Sequence, residues 1–162
     1  MKLEKCNKNQ EDFSCFVRMY TAYIKELSTF SERLKNKEVT LCETAQIWYN
    51  PNIEKYFVIE HKTVAGFLLL GVNGNKHQDS DYYVAEFFIV KDKRRQGIGS
   101  ATIKKLLQAQ KGRYCLFVLH KNKAASLFWQ KVFADCNYVD VSEKHLCDCT
   151  PDDCEFRMYE SA

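Results

Sequence analysis

Two arginines and two glycines stand close together in "KRRQGIGS", Lys93 to Ser100, between the apolar run "YVAEFFIV" and the helix-like run "ATIKKLLQAQ". A helix start leaves backbone N–H groups without acceptors and carries partial positive charge. Glycines open conformations closed to other residues and let a ligand approach the backbone. Together these suit a bound anion such as a pyrophosphate, with Arg94 and Arg95 adding charge around it. The plainer alternative is a tight turn with a solvated basic rim. A P-loop is excluded, because no Gly-Lys-Ser/Thr follows at the required spacing. The dinucleotide fingerprint would need a third glycine where Thr102 stands, and a βαβ unit before it.

Two further side chains have proton chemistry. Glu86 is a carboxylate in an otherwise apolar run, costly there unless paired or functional. An ion pair with a nearby Lys or Arg is the alternative to a functional role. His120 follows the apolar run "RYCLFVL" and titrates near neutrality when unperturbed. A third cluster is "HLCDCTPDDC", with His145, Cys147, Cys149 and Cys154. Soft ligands this close could hold zinc, and His145, Cys147 and Cys149 would share one face of an extended strand. The spacing lacks C-x2-C pairs, so unligated thiols in a hairpin and no metal are expected, with a reversible disulfide as the alternative.

Hydrophobic periodicity supplies the elements that must position these groups. "MKLEKC" suits a first strand. Phe13, Phe16, Val17, Tyr20, Ile24 and Leu27 form one face of a helix over Asp12–Ser28. A shorter helix covers "LCETAQIWYN" and ends at Asn50-Pro51. "KYFVIE" and "VAGFLLLGV" pair across "HKT" as a hairpin. "YYVAEFFIV", apolar on both faces except at Glu86, belongs in the middle of a sheet. After the glycine junction come a helix, the buried strand "RYCLFVL", and a helix with Ala125, Phe128, Trp129, Val132 and Phe133 on one face. "NYVDVSEKHL" and "EFRMYE" close the chain as two strands joined by the cysteine-rich turn. The order β-α-α-β-β-β-α-β-α-β-β predicts an α/β (α+β) fold with a mixed sheet between helices.

Composition agrees with a single domain over residues 1–162. Hydrophobic residues make up 46% and charged residues 28%, an ordinary globular balance. A net charge of +3 is too small to point to nucleic acid. No apolar run approaches the ~18 residues that would span a membrane, and the charged N-terminus has no signal-like apolar core. A cytoplasmic protein with its eight cysteines reduced is expected, Cys15 and Cys115 serving as small core residues.

"FFIVKDKRRQGIG" resembles the acetyl-CoA motif of the GNAT N-acetyltransferase superfamily, Arg/Gln-x-x-Gly-x-Gly/Ala, with Arg94, Gly97 and Gly99 matching in order. "NKAASLFWQKVF" resembles a second motif of that family, Asn-x-x-Ala-x-x-Phe/Leu-Tyr, through Asn122, Ala125 and Phe128. The element order resembles the family's over nearly the whole chain, and the combination is similar to a bacterial subgroup. The resemblance implies a twisted, mostly antiparallel sheet of six to seven strands flanked by about four helices. It implies acetyl-CoA as co-substrate in a V-shaped split between the fourth and fifth strands. Phe87, Phe88 and Ile89 would pair with the pantetheine arm. The backbone of Arg95, Gln96, Gly97, Ile98, Gly99 and Ser100 would hold the pyrophosphate, Asn122 would reach the arm, and Trp129 would wall the pocket.

The implied chemistry is direct attack of a primary amine on the thioester in a ternary complex, with Glu86 as base and His120 as second candidate. Three positions depart from the family pattern. Trp129 stands where a proton-donating Tyr is common, leaving water or a residue such as Tyr138 as donor. Phe117 stands where some members carry a catalytic Glu, and Phe133-Ala134 replaces the usual Gly-Phe. The acceptor, a small molecule or a protein amine, would meet Tyr20, Tyr23, Trp48 and Tyr49 as walls and Glu43, Asp152 and Asp153 as charges. A homodimer is implied as possible; a membrane or nucleic-acid partner is not. The alternatives are a non-catalytic acyl-CoA-binding module and a metal- or redox-responsive protein using the cysteine hairpin.

Overall fold

The computed structural model describes residues 1–72, 79–145, 147 and 149–162. Its principal elements are β1 (Lys2–Lys5), α1 (Gln10–Leu27), α2 (Leu41–Tyr49), β2 (Ile53–Glu60), β3 (Thr63–Gly71), β4 (Tyr82–Ile89), α3 (Ile98–Ala109), β5 (Tyr114–Leu119), α4 (Lys123–Ala134), β6 (Tyr138–Asp140) and β7 (Cys154–Ser161). The strands form one sheet in the order β1-β2-β3-β4-β5-β7-β6. Every neighbouring pair is antiparallel except β4–β5. The expected fold class is observed, with seven strands and four α-helices among the described residues.

Local chemistry sets the helix starts. Asn9 Oδ1 accepts from the Asp12 N–H at 2.8 Å, and Thr40 Oγ1 accepts from Glu43 N–H at 3.1 Å. Each cap satisfies an otherwise orphaned donor and is worth about 1 kcal/mol. The β2–β3 hairpin turns on His61 and Lys62, both at positive φ, with Glu60 facing Thr63. That two-residue geometry matches the right-handed twist of the strands.

The central strands are apolar on both sides because both faces of the sheet are covered. Leu68, Leu70, Val84 and Leu116 pack with Ile103, Leu107, Val132 and Phe133 of α3 and α4. Phe67, Leu69 and Phe88 pack with Phe16, Tyr20 and Ile24 of α1 and Trp48 of α2. Alternate residues of β3 thus serve opposite cores, as a period-two chain requires.

The last hairpin departs from expectation. "NYVDVSEKHL" forms only the three-residue β6 before a 3-10 turn at Ser142–Lys144. Asp140 Oδ1 accepts from the Ser142 backbone N–H at 2.9 Å, closing a local turn. Ser142 Oγ then accepts from Met158 N–H at 2.9 Å, taking a donor that a continuing strand would have used. Side-chain acceptors therefore outcompete the ladder. His145, Cys147 and Cys149 consequently do not lie on a strand. The Cys147 and Cys149 sulfurs are 2.7 Å apart. No cluster of three metal-ligating side chains occurs among the described residues.

Candidate active site

The site begins where two parallel strands part. β4 and β5 pair at Tyr82–Tyr114, Tyr83–Cys115 and Val84–Leu116, and then the ladder ends. On its other side β4 keeps its pairing with β3, but Leu69 faces Glu86 while Leu70 faces Val84. Ala85 is therefore an extra residue, a bulge at the point of divergence. Such a bulge bends a strand and re-aims the side chains beside it. Here it delivers Glu86 into the opening.

The opening is a cavity of about 490 Å³. Glu86 and Phe87 come to it from β4, Phe117 from β5, Asn122 and Trp129 from the α4 end, and Tyr20 and Tyr23 from α1. Arg33 and Lys37, between α1 and α2, and Cys149, Pro151 and Cys154 complete one end. The Tyr23 hydroxyl donates to Glu86 Oε2 at 2.5 Å. Burial pushes the Glu86 carboxyl up to about 7, against the opposing pull of that hydrogen bond and of Lys37 and Arg33. Burial and the Glu86 charge together drive the Tyr23 phenol well above its ordinary range, so the proton stays on Tyr23. Glu86 is thus a carboxyl poised to titrate near neutrality and held in orientation by a neutral donor.

The glycine junction has the geometry expected from its sequence. Arg95 and Gly97 both have positive φ, at 59° and 76°. Gly97 ends the turn and α3 begins at Ile98, the first closing bond running from Ala101 N–H to Gly97 O at 2.9 Å. The N–H groups of Ile98, Gly99 and Ser100 precede it and have no acceptor within the helix. No side chain caps this end, and its first turn holds no acidic residue. Gly99 has a second reason to be glycine: an added Cβ would lie 3.4 Å from the Phe128 ring, at the contact between α3 and α4.

The sequence-derived candidates separate into groups. Glu86, Phe87, Asn122 and Trp129 meet in the one cleft. Asn122 also caps α4, its Oδ1 accepting from Ala125 N–H at 3.1 Å. Trp129 packs on Phe87 and Phe128, with ring centroids 5.6 and 5.0 Å away. The side chains of Phe88, Ile89 and Ile98 are buried in the core, leaving these residues only their backbone for a ligand. Arg95 and Gln96 are exposed, and the Gln96 amide donates to Asp92 O at 3.0 Å.

Arg94 is held by neighbouring groups. Its guanidinium donates twice to Glu26 of α1 at 2.8 Å and once, through Nε, to Ile89 O at 2.7 Å, and it lies over the Phe88 ring. That charge is committed to fastening the loop to α1, not displayed around the glycines. The Ile89 carbonyl is likewise already engaged. His120 lies apart from Glu86. It is exposed and lines a neighbouring hollow with Arg33, Asp152 and Asp153, outside the cavity that holds Glu86. Tyr138 packs on Tyr114 and Phe133 within the core and does not reach the cleft. Trp48 is buried and Tyr49 exposed, so neither walls the cleft, while Glu43 and Asp153 are paired with Lys37 and Arg33.

Two features had no expectation attached. One is the Tyr23–Glu86 pairing, although a hydroxyl on the core face of α1 must find a partner and the lone β4 carboxylate is the obvious acceptor. The other is the pair of cations, Arg33 and Lys37, at the mouth. They sit in a segment without periodicity, and nothing local marks them.

A family model described as an acetyltransferase (GNAT) domain matches residues 52–132, half of the chain. No curated protein matches the sequence. Among solved structures, an acetyltransferase from Thermus thermophilus is similar at TM-score 0.65 and 15% identity, covering 98% of this chain and 96% of that one. An N-acetyltransferase from Staphylococcus aureus is similar at TM-score 0.64 and 11% identity, covering 98% and 99%. The PaiA N-acetyltransferase from Thermoplasma acidophilum, in complex with coenzyme A, is similar at TM-score 0.61 and 16% identity over the whole of both chains. At these identities the structural likeness is one of fold, and the matched domain, which spans β2 to α4 and most of the cleft, carries the assignment: this chain belongs to the GNAT acetyltransferase family and is an acyltransferase.

Proposed function

We propose that the protein transfers acetyl from acetyl-CoA to a primary amine by direct attack, both substrates held together in the β4–β5 cleft. The observation that carries this reading is the position of Glu86, a carboxyl raised to about 7, at the divergence of the two strands. The residues present fit acetyl-CoA. The uncapped N-terminus of α3 offers the N–H groups of Ile98, Gly99 and Ser100 to a pyrophosphate, with Arg95 at its rim. Backbone groups of β4 from Glu86 to Phe88, released from β5 by the splay, would pair with the pantetheine amides. Asn122 and Trp129 would border the arm. Acetyl-CoA supplies an acetyl group already activated as a thioester.

The chain's own residues account for the proton. Near neutral pH about half of the Glu86 carboxyl is ionised, and one oxygen is held by Tyr23. The other oxygen can accept the proton of an incoming ammonium and leave the amine nucleophilic. The aromatic wall of Tyr20, Tyr23 and Phe117 limits water around that exchange. Trp129 can donate a hydrogen bond toward the departing sulfur but cannot surrender its proton, so water supplies it. Orientation of the two substrates provides much of the rate.

A calorimetric titration with acetyl-CoA, with NADH and ATP as controls, tests the cradle. Selective binding of acetyl-CoA, followed by amine-dependent release of CoA, is expected. Equal affinity for all three, or none, would contradict it.

A further inference from the structure

The charges around the cleft are unevenly placed. Among the described residues, the charged side chains that line it are Glu86, Arg33 and Lys37. Arg33 directs Nε and Nη2 to a single oxygen of Asp153, at 3.2 and 3.1 Å, and Lys37 pairs with Glu43 at 2.8 Å. Neither of those carboxylates lines the cavity. An ammonium has three donors and a guanidinium five, so each cation retains donors for a ligand. Glu86, Arg33 and Lys37 line the same cavity, and both cations favour the charged form of the Glu86 carboxyl. Ile24, Leu27, Leu34 and Leu119 add apolar surface to the same cavity.

Resting on the acetyltransferase reading above, we infer that the acceptor is a small zwitterion: a primary amine that meets Glu86, a carboxylate that meets Lys37 and Arg33, and an apolar or aromatic side chain against the leucine and aromatic lining of the same cavity. A hydrophobic α-amino acid has this form. A polyamine does not, because its further ammonium groups would face two cations with no acidic side chain beyond Glu86 among the described residues of the lining. Carboxylate recognition by Lys and Arg is charge-assisted, and the apolar surroundings strengthen it.

The test compares initial rates of CoA release from acetyl-CoA with L-phenylalanine, L-leucine, L-phenylalaninamide and spermidine. The amide removes the carboxylate and keeps the amine and ring. Its amine is also less basic, so a larger fraction is unprotonated, and a preference for the acid would run against that advantage. The expected kcat/KM for phenylalanine exceeds that for the amide by about tenfold, the value of one charge-assisted contact. Lys37→Gln should erase most of that difference, lowering kcat/KM for phenylalanine more than for the amide, and Lys37→Glu should turn the preference toward the amide. Acetyl-CoA titration of each variant confirms that the cofactor end is intact.

If the amide or spermidine matches or exceeds phenylalanine, the zwitterion inference is wrong while acetyl transfer to amines stands. If acetyl-CoA binds and neither amino acid releases CoA, the zwitterion inference fails; if acetyl-CoA does not bind, the acetyl-transfer reading fails, and the inference with it. The wild-type comparison decides the matter even if a variant does not fold.

Discussion

Tyr23 donates its hydroxyl to Glu86 Oε2 across 2.5 Å, joining α1 to the bulged strand β4 at the floor of the cleft. The bond also opposes burial, because donation to a carboxylate favours the charged form.

This pairing makes the pH profile diagnostic. With Glu86 as base, kcat/KM rises with pH through about 7 as the carboxyl ionises. Glu86→Gln should remove that limb and lower turnover by about a hundredfold, an ordinary loss for a general base. Tyr23→Phe should keep the limb and move it upward by up to about one pH unit, since a stabilising donor is gone. Full turnover of Glu86→Gln at every pH would leave the carboxylate a structural role only.

The same carboxyl makes stability pH-dependent, with a definite sign. An unfolded Glu titrates at about 4.3, whereas folded Glu86 titrates at about 7. Between those values the folded state holds a proton that the unfolded state has lost, so stability falls as pH rises. This contribution is complete below the unfolded value and absent above about 7. Its size is on the order of 3–4 kcal/mol. Asp153, Glu54 and Glu155, held below their usual range, act in the opposite sense and at lower pH. Urea melts at pH 5 and pH 7.5 should therefore show a larger decline for the wild type than for Glu86→Gln, and equal declines would contradict the assignment.

Much of the scaffold could be read locally because burial imprints a period on the chain. Phe67 and Leu69 against Leu68 and Leu70 show it directly, one set for each helical layer. Gly97 was legible as a turn residue because a glycine at a strand-to-helix junction suits a positive φ, and it sits at 76°. The fate of polar side chains was not. Arg94 fits an anion motif equally well whether its charge faces a ligand or Glu26, and that choice depends on where α1 crosses the sheet. His120 follows a buried strand in sequence but turns outward beside Asp153. The shortening of β6 depended on a competition between Ser142 and the ladder that no periodicity records.

The two glycines of the junction should respond differently to substitution. Gly97 has open space around a Cβ but sits at φ 76°, so Gly97→Ala should cost about 1 kcal/mol in stability through backbone strain. Gly99 has ordinary φ but lies against the Phe128 ring and beside the uncapped N–H groups. Gly99→Glu should abolish acetyl-CoA binding, because its carboxylate would compete for the anion site. Retention of acetyl-CoA affinity in Gly99→Glu, measured by calorimetry, would mean that the pyrophosphate binds elsewhere.

Trp129 offers the most direct test of the acid step. It is buried against Phe87 and Phe128 and borders the cleft, where a phenol could deliver a proton and an indole cannot. Thiolate is a tolerable leaving group, so the gain from a proper donor is modest. Trp129→Tyr should raise kcat by about three- to tenfold, below the usual contribution of general acid catalysis. Acetyl-CoA affinity should stay unchanged, since Phe87 and Asn122 still define the wall. The gain should vanish in Trp129→Phe, which retains an aromatic ring without the donor. If Tyr and Phe at this position give the same rate, the ring matters only for packing and protonation of the sulfur does not limit turnover.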